Sequence, residues 1–208
     1  MRALALLILT GFLAPFAAHA AMRMTMPMAP AHLPPQGLKA PTHSWGQART
    51  LLAHSLREGH RTDATVAFKG RHIRIVVVAN APHHPDMTFE AGGLTDPTLS
   101  VTAGALVTVT LLNMDHGPGM SHGMTVTATP PPYPVVPTGA IKARIAQTGL
   151  LAPSTSPRLR AARYAIGVTT FRIERPGTYY YLCPVPGHAK AFRMYGRLLV
   201  TGQGKKHA

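Results

Sequence analysis

From Ala64 onward the apolar residues come in short runs, and the runs alternate with clusters of Gly, Pro, Asn and Asp. Ala64 to Phe68, His72 to Val78, Met87 to Glu90, Thr98 to Val101, Leu106 to Leu112 and His122 to Ala128 are rich in Val, Ile, Thr and Leu. A long Pro-rich connection runs from Pro130 to Pro157. Val168 to Glu174, Thr178 to Cys183 and Tyr195 to Thr201 then resume the pattern. Runs of this length, β-branched and bounded by turn residues, predict strands. Many of them at this spacing predict an all-β sandwich or barrel rather than βαβ units. A helical turn is predicted near Ile141 to Gln147, and no internal repeat is present.

One helix is predicted ahead of the strands. Ser44 and Gln47 form a capping box, and Ala48, Leu51, Leu52 and Leu56 share one helical face before Gly59. Further upstream the pattern changes in kind. Met1 to Ala20 has a charged start at Arg2, an apolar run from Ala3 to Phe16 and a small-x-small end at Ala18-His19-Ala20. That is the form of a secretory signal peptide, and its apolar run is too short and Pro-broken for a membrane span. No Cys sits at the cleavage point for a lipid anchor. Residues 21–43 are a Pro/Met-rich linker without periodicity. Within it Met22, Met24, Met26 and Met28 alternate, and they are read as low-complexity tail before a Cu(I)-collecting tract. The domain organisation expected is therefore signal peptide 1–20, linker 21–43, one β domain 44–202 and a basic tail 203–208.

Composition narrows the function. The 208 residues carry 21 Lys+Arg against 7 Asp+Glu, a formal charge of +14 with His neutral. Export and the lack of a dense basic run argue against nucleic acid as a partner, whereas a basic surface steers toward an acidic one. Few carboxylates also mean that acid removes few ion pairs, which points to life at low pH. The chain has a single cysteine, Cys183. It cannot close an internal disulfide, and it cannot build a zinc finger or a CxxC redox site. An exported lone thiol is buried, paired with another chain, or bound to metal.

Its neighbourhood favours metal. The stretch TYYYLCPVPGHAKAFRMYGRLLV, Thr178 to Val200, reads as strand, tight loop and strand, with Cys183, His188 and Met194 gathered at the loop. Pro184 and Pro186 stiffen that loop, and Gly187 lets it turn just before the histidine. A soft thiolate, an imidazole and a thioether suit copper, and a Cys with two His in a plane and a weak axial Met is the blue-copper electron-transfer arrangement. A lone Cys and Met more often fill a core, but not within twelve residues that also carry PxPGH. A second histidine is needed. In NMDHGPGMSHGM, Asn113 to Met124, His116 sits in a Gly-Pro-Gly turn, while His122 begins the next predicted strand and is the better preorganised.

In SWGQARTLL, MTFEAGGLTDPTLSV, VTVTLLN, SHGMTVTATPPPYPVVP and PGTYYYLCPVPGHAKAFRMYGRLLV, the chain from about Ser44 to Val200 resembles the rusticyanins. These are blue copper proteins of the cupredoxin family found in acidophilic iron oxidisers. The resemblance implies a cupredoxin-like Greek-key β-sandwich with an N-terminal extension containing one helix. It implies one type 1 copper ion bound by His122, Cys183, His188 and, axially, Met194. It also implies a monomeric periplasmic carrier, not an enzyme, passing single electrons between iron oxidation and a c-type cytochrome, another periplasmic redox protein or a terminal oxidase. Two positions depart from the family pattern. Five residues, Ala189 to Arg193, separate His188 from Met194 where the family has four, and Gly123 stands where Ser or Asn usually ties the two ligand loops.

Two other classes compete with this reading. A nitrite reductase or multicopper oxidase domain needs further His clusters, usually HxH; the chain has no HxH, and its one adjacent pair is His83-His84. A copper chaperone or resistance protein would use the methionine tract, prefer Cu(I) and show no blue colour.

Overall fold

The computed structural model describes residues 40–154 and 156–202. The expected signal peptide, the methionines of the linker and the basic tail lie outside the described residues.

Among the described residues, thirteen strands form two facing sheets. In chain order they are β1 Thr42–Ser44, β2 His60–Thr62, β3 Thr65–Ala67, β4 His72–Ala79, β5 Phe89–Ala91, β6 Leu94–Thr95 and β7 Thr98–Thr102. They continue with β8 Leu106–Asn113, β9 Thr125–Thr127, β10 Arg144–Gln147, β11 Arg163–Arg172, β12 Gly177–Leu182 and β13 Tyr195–Thr201. One sheet has the order β1-β11-β8-β4-β5-β6, the other β10-β9-β12-β13-β7-β3-β2. β4 runs parallel to β8, and β13 parallel to β7, so the chain crosses between sheets rather than meandering. This is the all-β, Greek-key sandwich expected of the sequence.

Side-chain alternation explains the layers. In β13 the burial alternates strictly, with Gly196, Leu198 and Val200 inward and Arg197, Leu199 and Thr201 outward, as one buried sheet face requires. β4 differs because it is covered on both sides. Ile73, Ile75, Val77 and Ala79 enter the core between the sheets, whereas Val76 and Val78 meet a helix on the opposite face. A strand buried twice reads as a continuous apolar run, and IVVVA is one.

The covering helix, α1 Trp45–Ser55, begins where the capping box predicts. Ser44 accepts from Gln47 N–H, and the Gln47 side chain accepts from Ser44 N–H at 2.9 Å. Ala48, Leu51 and Leu52 pack with Trp45 on Val76, Val78, Leu112 and Tyr164. Leu56 does not join them; it caps the helix and is half exposed.

Four strands were not anticipated: β1, β2, β6 and β10. Each has four residues or fewer and lies at or next to a sheet edge, so little hydrophobic alternation marks it. β10 corrects the helical turn expected near Ile141 to Gln147, since Arg144 to Gln147 pair with β9 instead. Likewise β1 starts two residues inside the stretch read as linker, held by β11. The strand expected from His122 begins only at Thr125; His122 itself is held by an isolated bridge to Leu151.

Candidate metal centre

The site forms at one end of the sandwich, where β12 runs out at Leu182 and the chain loops before β13. Gly187 takes φ +87°, the left-handed conformation expected of it. One helical turn follows, α2 His188–Ala191. Arg193, at φ +58°, then turns the chain back, so that Met194 N–H donates to His188 O at 3.2 Å. The helical turn and the left-handed Arg193 thus take up the fifth residue of this loop. Cys183 N–H in turn donates to Met194 O at 3.0 Å, closing the loop at its base. Cys183 and Met194 are both fully buried in the core between the sheets.

His122 reaches the same point from the other ligand loop. Its backbone exchanges two hydrogen bonds with Leu151, N–H to O at 3.1 Å and O from N–H at 2.8 Å. The bridge does the anchoring that strand membership was expected to do. His122 Nδ1 lies 3.8 Å from Cys183 Sγ, and His188 Nδ1 lies 3.4 Å from it. One ligand atom from each of the three falls within 4.8 Å of the others, and all three residues are buried. His116 is exposed and outside this group.

These separations fit a shared ion. Bonds of roughly 2.0–2.3 Å at about 105–120° place donor atoms about 3.5–3.8 Å apart. One thiolate and two imidazoles, without a carboxylate among them, make a donor set for copper rather than for calcium or magnesium.

Burial sets the protonation state of each donor. It pushes the Cys183 thiol up to about 11, against backbone N–H groups of Gly123 and Val185 that hydrogen-bond the sulfur. The thiol therefore gives up its proton to a metal, not to water. Burial lowers His188 to about 4, with His122 lowering it further and Asp115 opposing. Burial also lowers His122, again against Asp115. Burial favours the neutral form of both imidazoles, the form that binds metal.

At Gly123 the side-chain tie that the family pattern leads one to expect is absent. A Cβ at this position would press within 3.0 Å of Leu150 and 3.3 Å of Pro184, so these apolar neighbours occupy the space of the missing side chain.

Asp115 is the residue that sequence reasoning missed. Its Oδ2 lies 3.0 Å from His122 Nε2, directly behind the ring. The available signal was its place seven residues before His122, as one of only 7 acidic residues in the chain.

No family model matches the chain. Against individual proteins it is 35% identical to rusticyanin of Acidithiobacillus ferrooxidans over 160 residues, covering 76% of this chain and 96% of that one. It is 37% identical over 161 residues to rusticyanin of Acidithiobacillus ferridurans, covering 80% of it. The fold is similar to the solved rusticyanin of Thiobacillus ferrooxidans, with TM-score 0.66 and 31% identity over 77% of this chain and 96% of that one. A second solved structure, described as the copper protein rusticyanin, gives TM-score 0.65 at 30% identity, over 79% of this chain and 100% of that one. The chain belongs to the rusticyanin family of cupredoxins, and is a blue copper electron carrier with one type 1 copper ion as its cofactor.

Proposed function

We propose that this protein carries single electrons in the periplasm, between iron oxidation and a c-type cytochrome or a terminal oxidase, with its copper held by His122, Cys183, His188 and axially Met194. The observation that carries the ligand set is the convergence of Cys183 Sγ with the Nδ1 atoms of His122 and His188 at one buried point. When bound, copper supplies a one-electron couple between Cu(I) and Cu(II). The chain's own part is to hold its donors still. His122 is fixed by its bridge, Cys183 and Met194 by their mutual backbone bond, and His188 by its helical turn, so little rearranges on electron transfer.

Electron exchange requires a partner to approach the buried site, and the ligand loop offers a face for it. Phe192 is 54% exposed and sits edge-on to His188 at 6.3 Å. Val135 and Val136, also about half exposed, lie on the segment whose Val135 O accepts from Gly187 N–H at 2.7 Å. A small apolar face suits brief docking to another redox protein, with the basic surface favouring an acidic one. Residues 44–202 act as the copper domain in this reading, and Met1 to Ala20 directs export. Among the described residues no helix is long and apolar enough to cross a membrane.

Titration of the purified protein with copper tests the site. One equivalent should produce intense absorption in the red part of the visible, and Cys183→Ser should remove it, because that absorption needs a covalent bond to sulfur. A serine variant that stays blue would end the reading. Rapid mixing of the reduced protein with a c-type cytochrome, with Phe192→Lys as the comparison, tests the docking face; equal rates would exclude it.

A further inference from the structure

The ionisable group behind the candidate metal centre is a carboxylate. Asp115 is 6% exposed, and its two oxygens have three partners: Gly117 N–H donates to Oδ1 at 2.7 Å, Asn80 Nδ2 donates to Oδ2 at 2.8 Å, and His122 Nε2 lies 3.0 Å from Oδ2. The Asn80 amide is oriented by its own partner, since Asn80 Oδ1 accepts from Met87 N–H at 2.7 Å. Its NH2 therefore faces Asp115.

The backbone of Asp115 is equally fixed. Asp115 N–H donates to Asn113 Oδ1 at 3.0 Å, and Asp115 O accepts from Ser154 N–H at 2.7 Å. Asn113 Nδ2 donates to Leu151 O at 2.9 Å, and Leu151 is the bridge partner of His122. The network is thus closed: Asn113, Leu151, His122 and Asp115 each hold the next. A carboxylate so placed is a preorganised acceptor with no freedom to swing away.

We propose that Asp115 is a positioning and charge-setting residue for the copper centre, accepting the Nε2 proton of His122 so that Nδ1 is left free for the metal, and biasing the site toward Cu(II). The inference rests on His122 being a ligand. An acceptor-only partner at Nε2 selects the tautomer with its proton there, and Nδ1 then presents its lone pair beside Cys183 Sγ. Carboxylate behind a ligating histidine makes the ring a stronger donor. A fixed negative charge in a buried site also favours the more positive of the two oxidation states. Asp115 is outside the ligand set and touches it only at His122.

The test is Asp115→Asn in the copper-loaded protein at a fixed pH near 6. Asparagine keeps the shape and removes the charge. The variant should stay blue, bind Cu(II) about tenfold more weakly with Cu(I) affinity much less changed, and show a potential raised by about 59 mV, the one-electron equivalent of tenfold. A blue variant with the wild-type potential would overturn the proposal. His122→Ala separates this failure from that of the ligand assignment. If it loses the blue spectrum while Asp115→Asn keeps the wild-type potential, only the role of Asp115 is wrong; if it stays blue, His122 is no ligand and both fall. Should Asp115→Asn fail to fold, nitrogen NMR of the wild-type Cu(I) protein decides. A slowly exchanging His122 Nε2–H supports the proposal, and an unprotonated Nε2 overturns it.

Discussion

Cys183 and Met194, eleven positions apart, are joined by the bond from Cys183 N–H to Met194 O at 3.0 Å. The bond brings the two sulfur-bearing residues to the same buried level although the loop between them has one residue more than the family pattern. Met194 is fully buried in the cluster that contains Cys183.

If Met194 is the weak axial donor proposed above, it should tune the potential rather than hold the metal. Met194→Leu removes a thioether that favours Cu(II) slightly, so the protein should stay blue with a higher potential. Met194→Gln offers a harder oxygen and should lower it. Shifts on the order of 59 mV, a tenfold change in the equilibrium, are readily resolved by redox titration. Potentials unmoved by either substitution would make Met194 a core residue only.

The two histidines of the upstream loop should behave oppositely. His122 is fully buried beside Cys183 Sγ, and His116 is exposed. His122→Ala should abolish the visible band, and His116→Ala should leave it within a few per cent of wild type. Spectra of the two copper-loaded variants, side by side, check this; the reverse result would put the first ligand in the wrong turn.

Asp96 should contribute stability to the fold in acid. Burial raises Asp96 to about 7, against one backbone hydrogen bond from Phe89, and burial also raises Glu90. A carboxyl whose folded pKa exceeds its unfolded one stabilises the fold below the unfolded value, 3.8 for Asp96, and that contribution is lost as pH rises through about 7. The full shift would correspond to roughly 4 kcal/mol; Asp96 is only partly buried, and solvent screening reduces this to about 2 kcal/mol. The lowered His122 and His188 act with the opposite sign over this range, so the Asp96 part is read from the change in Tm between pH 4 and pH 7.5 in the wild type against a variant. Asp96→Asn, which keeps the oxygen that accepts from Phe89 N–H at 2.9 Å, should gain Tm relative to the wild type as pH rises. An equal slope in both proteins would remove Asp96 as a source of the change.

Gly196 is required by a ring. It pairs across the sheet with Tyr181, which is fully buried and donates its hydroxyl to Pro97 O at 2.6 Å. A Cβ on Gly196 would overlap the Tyr181 ring and hydroxyl. Gly196→Ala should cost about 1–3 kcal/mol, as overpacking of a filled core does. Urea unfolding measures it, and a loss below about 0.5 kcal/mol would mean that the ring yields freely.

The sequence by itself determined the parts of this protein whose causes are local. The capping box at Ser44 and Gln47 starts α1 because both partners lie within one turn. The longer strands were legible because alternation, or double burial in β4, marks every residue along them. The short strands β1, β2, β6 and β10 carry too few residues to show a pattern, and only pairing with a neighbour makes them strands. The site divides in the same way. Cys183, His188 and Met194 lie on one loop, so their chemistry could be read from spacing together with the family resemblance. His122 approaches Cys183 from 61 residues away and Asp115 from further still, with Leu151, Asn80 and Asn113 locking them in place. Such convergence is a property of strands crossing between two sheets, and no local pattern encodes it. His122 was already preferred over His116 from the sequence and the resemblance, but only the tertiary structure brought it to the thiol and showed that a buried carboxylate stands behind it.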